Sequence, residues 1–155
     1  QIPTFDEVLQ LVPESVGLNI QIYQADAELL PKIIRLYEKY DLWGRGFLTM
    51  STFADARTVK KINPELEVNI LEVQKELTIS VLPRYHEFPA VFIQPYHACV
   101  TAELCQGFRN NELLANMFYS NTAADNRRFI EMGMPGILTD HPDRLRNTIH
   151  EMGYQ

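Results

Sequence analysis

Short apolar runs alternate along this chain with longer stretches in which apolar residues recur every three or four positions. The runs Leu18–Tyr23, Phe47–Thr52, Glu67–Val73, Ala90–Gln94, Leu114–Ser120 and Gly136–Thr139 have the length and residue content of strands. They start at positions 18, 47, 67, 90, 114 and 136, the pace of repeated βα units. Leu30, Ile33, Ile34, Tyr37 and Tyr40 mark one face of a connecting helix. A second helix starts near Thr52 and stops at Asn63-Pro64, because the residue before a proline is driven out of the α region. Thr101 and Thr122 are expected N-caps, and Gly133 is expected just beyond a helix end. Pro142 suits the first position of the last helix and Gly153 its end. Thr4-Phe5-Asp6-Glu7 has the form of a capping box. It follows Gln1 so closely that the chain reads as one cut, processed or truncated inside an element. Gln74–Glu87 fits neither period, and reads as an insertion or a short helix.

Parallel strands need crossovers, and crossovers cover sheet faces. The runs FLTM and PGILT are apolar without strict alternation, as buried parallel strands are. The fold class is therefore α/β. From periodicity alone, a small doubly wound sheet and part of a barrel satisfy the pattern equally. No low-complexity linker interrupts the chain, so residues 1–155 are expected to form a single domain.

Composition narrows the classes. The chain has 155 residues, 46% hydrophobic and 22% charged, which suits one packed domain and excludes disorder. Its net charge of −6 and pI near 5.2, with no Lys/Arg block, give no support for nucleic acid or an anionic membrane as partner. No apolar run approaches the roughly 20 residues that span a bilayer, and no signal peptide opens the chain. Two cysteines make neither a disulfide framework nor a metal knuckle, so a reducing, cytoplasmic compartment is the default expectation. A complete (β/α)8 barrel usually takes about 250 residues, so any barrel here is expected to be incomplete.

Gly44-Arg45-Gly46 lacks the third glycine of a dinucleotide turn and precedes a strand, and there is no Walker sequence. Both glycines read as a turn into the strand at Phe47. His86, His97, His141 and His150 form no pair with zinc spacing. His97 follows a strand end, where α/β sites gather; His141 precedes Pro142 at a helix start, His150 lies on a helix surface, and His86 has no assigned role. Cys99 and Cys105 read as two small buried hydrophobes. Ser51 lies in no nucleophile elbow, so a hydrolase triad is not expected. Tyr96, Phe118 and Tyr119 lie near strand ends, where aromatics line a pocket or simply fill core. Glu72 and Asp140 also stand near strand ends. Together they could form a polar mouth, although a hard cation would need water to complete its oxygen ligands. The plainer reading gives Asp140 a helix-start role in TDHPD.

Taken in order, IPTFDEVL at 2–9, LNIQIY at 18–23 and GILTDHPDRLR at 136–146 resemble the glycerophosphodiester phosphodiesterase family. That family has I-P-T-L-x-E before a helix, L-N-I-E-I-K on the next strand and a closing G-I-x-T-D-x-P-D. FLTMSTF resembles its strand ending in Ser-Phe, and FYSN at 118–121 stands where it has W-T-V-N. The resemblance runs end to end. It implies a (β/α)8 barrel that hydrolyses glycerophosphodiesters to glycerol 3-phosphate and an alcohol with a divalent cation, Mg²⁺ or Ca²⁺. It maps this chain to strands three to eight, the C-terminal portion. The catalytic histidines and two metal carboxylates of the family would then precede Gln1.

On the strand that remains, the resemblance places Gln21 where the family has a metal-binding Glu, and Tyr23 where it has a phosphate-holding Lys. An amide keeps an oxygen but loses the charge that draws a dication. A phenol donates one hydrogen bond but brings no positive charge against a transition-state anion. Phe118 replaces the family's Trp and keeps an apolar wall. The expectation is a degenerate site, with no catalytic residue and no cofactor for this chain alone, and with Tyr23, Tyr96 and Phe118 as substrate-contacting positions. Two strand edges would stay open, so self-association, or the missing N-terminal strands, is the expected partner. A small phosphodiester is the expected ligand. The competing expectation is a non-catalytic self-associating scaffold or ligand-binding module. A third keeps an active enzyme, with the missing strands supplied upstream or by another chain.

Overall fold

The computed structural model describes residues 2–88 and 91–154. Six strands form one sheet: β1 (Leu18–Gln21), β2 (Gly46–Met50), β3 (Glu67–Ile70), β4 (Val91–Ile93), β5 (Leu114–Met117) and β6 (Gly136–Ile137). All pairings are parallel, and spatial order follows chain order from β1 to β6. A doubly wound sheet reverses its order at a switch point, and this one never does. With right-handed crossovers, an unreversed order puts every connection on the same face. The result is a curled half-barrel, an incomplete TIM-type α/β fold, which resolves the two architectures that periodicity left open. β1 and β6 are its open edges.

Each strand ends one to three residues before its predicted run: the first at Gln21 instead of Tyr23, the third at Ile70 instead of Val73. Ala90, the first residue of the fourth predicted run, lies outside the described residues, as does Gln1. The trimmed residues leave the ladder to turn towards the helices, and they make the rim on which the candidate site is built.

One side of the sheet is apolar and dry. Leu48, Met50, Val68, Ile70 and Ile93 are buried in the same core as Phe53, Ala56 and Val59 of helix α3 (Phe53–Ile62). In α2 (Leu29–Tyr40) the predicted face is correct: Leu30, Ile33 and Tyr37 are buried, with Ile34 and Tyr40 packed beside them. Thr52 caps α3 by accepting from the Asp55 amide at 3.0 Å, and Asn63 is extended before Pro64. Thr101 caps α4 (Ala102–Asn110), Thr122 caps α5 (Ala123–Glu131), and Pro142 opens α6 (Pro142–Glu151). Gly133, with φ +85°, takes the left-handed turn after α5 that a Cβ would strain. Gln74–Glu87 resisted a 3.6-residue period because most of it is a 3-10 helix, Ile79–Glu87, with Pro83 inside. Its Leu82 lies so close to Gly107 of α4 that a Cβ there would come within 3.0 Å. No helix among the described residues is long and apolar enough to cross a membrane.

The opposite, concave side carries polar residues in register. Gln21, Thr49 and Asn69 are successive Cα partners across β1, β2 and β3. Thr49 Oγ1 donates to Asn19 Oδ1 at 2.5 Å. Asn69 Nδ2 donates to Thr49 Oγ1 at 3.0 Å and to Gln94 Oε1 at 2.7 Å. This ladder ties β1 through β3 to Gln94, just past β4, by side chains as well as backbone. Phe47 and Phe92 stack beneath it, with centroids 4.3 Å apart. Asn69 is only 1% exposed, so its bonds are made away from competing water.

At the start of the chain, the capping box forms as predicted: Thr4 Oγ1 accepts from the Glu7 amide and Glu7 Oε2 from the Thr4 amide. It opens α1 (Phe5–Leu9), which is pinned to α2 through Asp6. Asp6 Oδ1 accepts from Lys39 Nζ at 2.7 Å and from Tyr40 Oη at 2.9 Å. The Lys39 bond first, and then the Tyr40 bond, hold the Asp6 carboxyl below its ordinary value.

Two outcomes follow. Asn69→Leu leaves Gln94 Oε1 and Thr49 without their donor, and should lower stability by about 1–3 kcal/mol; an unchanged denaturation midpoint would remove the ladder from the fold's energetics. A carboxyl depressed in the folded state stabilises above its unfolded pKa and stops doing so as pH falls through the folded one. Amide exchange in α1 should therefore quicken as pH falls through the acid range, corrected for intrinsic exchange. Asp6→Asn should reproduce that loosening at neutral pH.

Candidate functional site at the carboxyl ends of the strands

Parallel α/β sheets gather their ligand sites where the strands end, because loops from several crossovers converge there. In this chain the rim after β4 and β5 is the most organised part. Phe118 donates its amide to Pro95 O at 2.9 Å, and His97 donates its amide to Phe118 O at 2.8 Å. That parallel bridge sets Tyr96 beside Phe118, with ring centroids 6.4 Å apart. Backbone pairing thus fixes the aromatic contact. His97 lies 4.2 Å from the Tyr96 ring and 5.9 Å from that of Tyr119, and Phe118 and Tyr119 meet at 4.9 Å and 63°. Phe118 and Tyr119 stay 38% and 40% exposed, so they are a surface and not core. Lys75 Nζ stands 6.0 Å from the Tyr96 ring centre.

Beside this cluster lies a cavity of about 310 Å³, lined by Phe118, Tyr119, Leu138, Thr139 and Asp140. Asn121 shapes it. Its Oδ1 accepts from Thr139 Oγ1 at 3.1 Å and from the Asp140 amide at 2.9 Å, while its Nδ2 donates to Asp140 Oδ2 at 2.7 Å. The Arg144 guanidinium donates to the Asn121 carbonyl. Asp140 is thus clamped to the end of β5, and His141, not Asp140, is the N-cap residue of α6. Glu72 is spent elsewhere: its Oε2 accepts from the Phe53 amide at 2.8 Å, in the first turn of α3, where the helix dipole favours an anion. Its Oε1 takes Arg84 at 3.4 Å. Neither hydrogen bond nor ion pair links Glu72 to Asp140 among the described residues, so no polar mouth joins the two.

Of the three positions expected to touch a substrate, Tyr96 and Phe118 come together. Tyr23 lies beyond the end of β1, 82% exposed, and no aromatic contact or hydrogen bond among the described residues links it to the other two. Gln21 ends β1 on the concave face and is exposed. His97 belongs to the aromatic cluster. His86 bonds to Asn111 at 2.9 Å, away from the rim. Cys105 is buried, and burial pushes its thiol up. Cys99 departs from the expected buried hydrophobe: it is half-buried and its thiol donates to Lys75 O at 2.9 Å.

Sequence reasoning missed Asn121 and the ladder of Thr49, Asn69 and Gln94. A signal for the ladder existed: LNIQ, FLTM, EVNI and FIQ each carry a polar residue at or one position before the end, namely Gln21, Thr49, Asn69 and Gln94. The donors present do not fit a divalent cation. Gln21 and its row neighbours Thr49 and Asn69 are neutral, and no group of three His, Cys, Asp or Glu side chains is placed to hold a metal among the described residues.

No protein-family model matches the chain. A glycerophosphodiester phosphodiesterase of Caldanaerobacter subterraneus is 26% identical over 161 residues, covering 99% of this chain and 64% of that protein. A solved protein of Silicibacter pomeroyi, assigned to the glycerophosphoryl diester phosphodiesterases, superposes with a TM-score of 0.84 at 21% identity, over 99% of this chain and 58% of its own. An Oleispira antarctica phosphodiesterase, solved with the product sn-glycerol-3-phosphate, gives 0.80 at 13% identity, over 96% and 61%. The chain thus spans less than two thirds of each. The solved structures show the fold, a portion of the same (β/α) barrel, and both they and the curated relative make this chain similar to glycerophosphodiester phosphodiesterases.

Proposed function

We propose that residues 1–155 form one domain corresponding to the third to eighth strands of a glycerophosphodiester phosphodiesterase-like barrel, and that its site is degenerate and does not turn over phosphodiesters by itself. The observation that carries this is β1, which ends on the concave face with neutral Gln21 and is followed by exposed Tyr23. The family resemblance has a metal-binding Glu and a phosphate-holding Lys there. Without those charges, neither a dication nor the developing phosphoryl charge is opposed at this strand. The ligand remains a small phosphodiester or its product. A solved protein of the same fold holds sn-glycerol-3-phosphate, and Tyr23, Tyr96 and Phe118 are the contacts assigned to it here. The purified chain, given a glycerophosphodiester with Mg²⁺ or Ca²⁺, should release no glycerol 3-phosphate above the uncatalysed rate. Release abolished by a chelator would overturn the inactive reading.

A second reading, a self-associating scaffold, is favoured by the open edges. Among the described residues β1 and β6 each have one side without a neighbouring strand, and Ile2 and Leu11 before β1 and Tyr23 after it are exposed. Exposed edges pair unless something covers them. Sedimentation at micromolar concentration should therefore find oligomers, and a folded, monodisperse monomer would overturn this reading.

A further inference from the structure

We infer that the open side of β1 is a self-complementary edge, which pairs antiparallel with β1 of a second copy of this chain across a two-fold axis at Gln21. This rests on the self-associating reading above and names the surface through which it acts.

The two open edges of the sheet are not alike. Leu18 donates its amide to Arg45 O at 2.7 Å, and Ile22 donates to Thr49 O at 2.9 Å. Along a strand, successive residues turn their backbone groups to opposite sides. Leu18, Ile20 and Ile22 therefore serve β2, and the amides and carbonyls of Asn19, Gln21 and Tyr23 face the open side. No backbone hydrogen bond among the described residues engages them there. At β6 the same alternation offers less. Leu138 donates to Met117 O and accepts from the Ser120 amide, so the outward positions are 135, 137 and 139. Position 135 is a proline with no N–H to give, the strand itself is only Gly136–Ile137, and Asp140 stands just beyond it. Short length, proline and a nearby charge are what keep an edge from pairing. β1 is twice as long, at 4 residues against 2. It lies in a stretch, Ser15 to Ala25, that contains no charged residue and no proline.

Charge and symmetry argue for a second copy as the occupant. Each chain carries −6, so two copies repel across most of their surfaces and approach best along a neutral strip. An antiparallel pair centred on Gln21 sets Gln21 against Gln21 of the second copy, and Asn19 against Tyr23 of the second copy. All of these residues present their outward backbone groups, and each facing pair exchanges two backbone hydrogen bonds. The paired side chains are amides and a phenol, which donate and accept without charge. Tyr23, 82% exposed, and Val16, 43% exposed, are the surface beside the strand that the contact would cover. A two-fold contact uses the same patch on both copies and closes on itself. With β6 blunted, association stops at two.

The test is the association of the 155-residue chain. Sedimentation equilibrium at micromolar concentration should give dimers and nothing larger. Gln21→Cys should cross-link to itself between copies under mild oxidation, since Cα atoms about 5.5 Å apart in such a pair suit a disulfide. Peptide mapping separates that link from any made by Cys99 or Cys105. Gln21→Pro removes only an outward amide, so the fold should survive while the dimer dissociation constant rises at least about tenfold. Gln21→Lys sets like charges opposite each other and should raise that constant about fivefold, and less at high salt. It keeps the test available if the proline variant misfolds. Oligomers that persist unchanged in folded Gln21→Lys, with no link through position 21, would overturn the edge assignment while the scaffold reading stands. A monodisperse monomer would overturn both, and would leave the edge to a strand from elsewhere.

Discussion

A parallel strand can be reached only by carrying the chain back over a face of the sheet, and in this protein every crossover passes over the same face. The two faces have different chemistry as a consequence. The covered face must exclude water, and Leu48, Val68, Ile70 and Ile93 there are fully buried. The concave face holds Thr49, Asn69 and Gln94 in a hydrogen-bonded row that lends direction to a surface apolar packing alone would leave unspecified. The same constraint delivers every strand end to one rim. A site can then be assembled from residues far apart in sequence.

The rim is not uniform. On the β1 side it carries neutral, exposed Gln21 and Tyr23. On the β4–β6 side it is built twice over, by the backbone bridge between Tyr96 and Phe118 and by the amide of Asn121, which holds the end of β6 to the end of β5. Neutral side chains at one end therefore accompany an ordered rim at the other.

Local signals in this chain were strong where the cause is local. The caps at Thr4, Thr52, Thr101 and Thr122 are set by side chains three residues from their partners, so sequence spacing contains them in full. The stop at Asn63 is set by the proline that follows it. The 3-10 helix Ile79–Glu87 escaped because its period differs from 3.6 residues and Pro83 sits inside it. Strand ends were placed too late by one to three residues, since an apolar run continues into the rim after its backbone pairing has stopped. Asp140 read as a helix-start residue because Pro142 follows closely, but its partner, Asn121, lies 19 residues away.

By itself, then, the sequence determined the βα rhythm, the helix limits and the neutral residues at 21 and 23, because each depends on neighbours along the chain or on the chemical identity of one side chain. Tertiary structure alone decided that the sheet curls without reversing, that Tyr96 and Phe118 meet while Tyr23 stands apart, and that Asn69 joins Thr49 to Gln94. Those outcomes depend on strand order and register, which are fixed only when crossovers of about 20 residues close over a common core, and no local pattern encodes which strand end will face which.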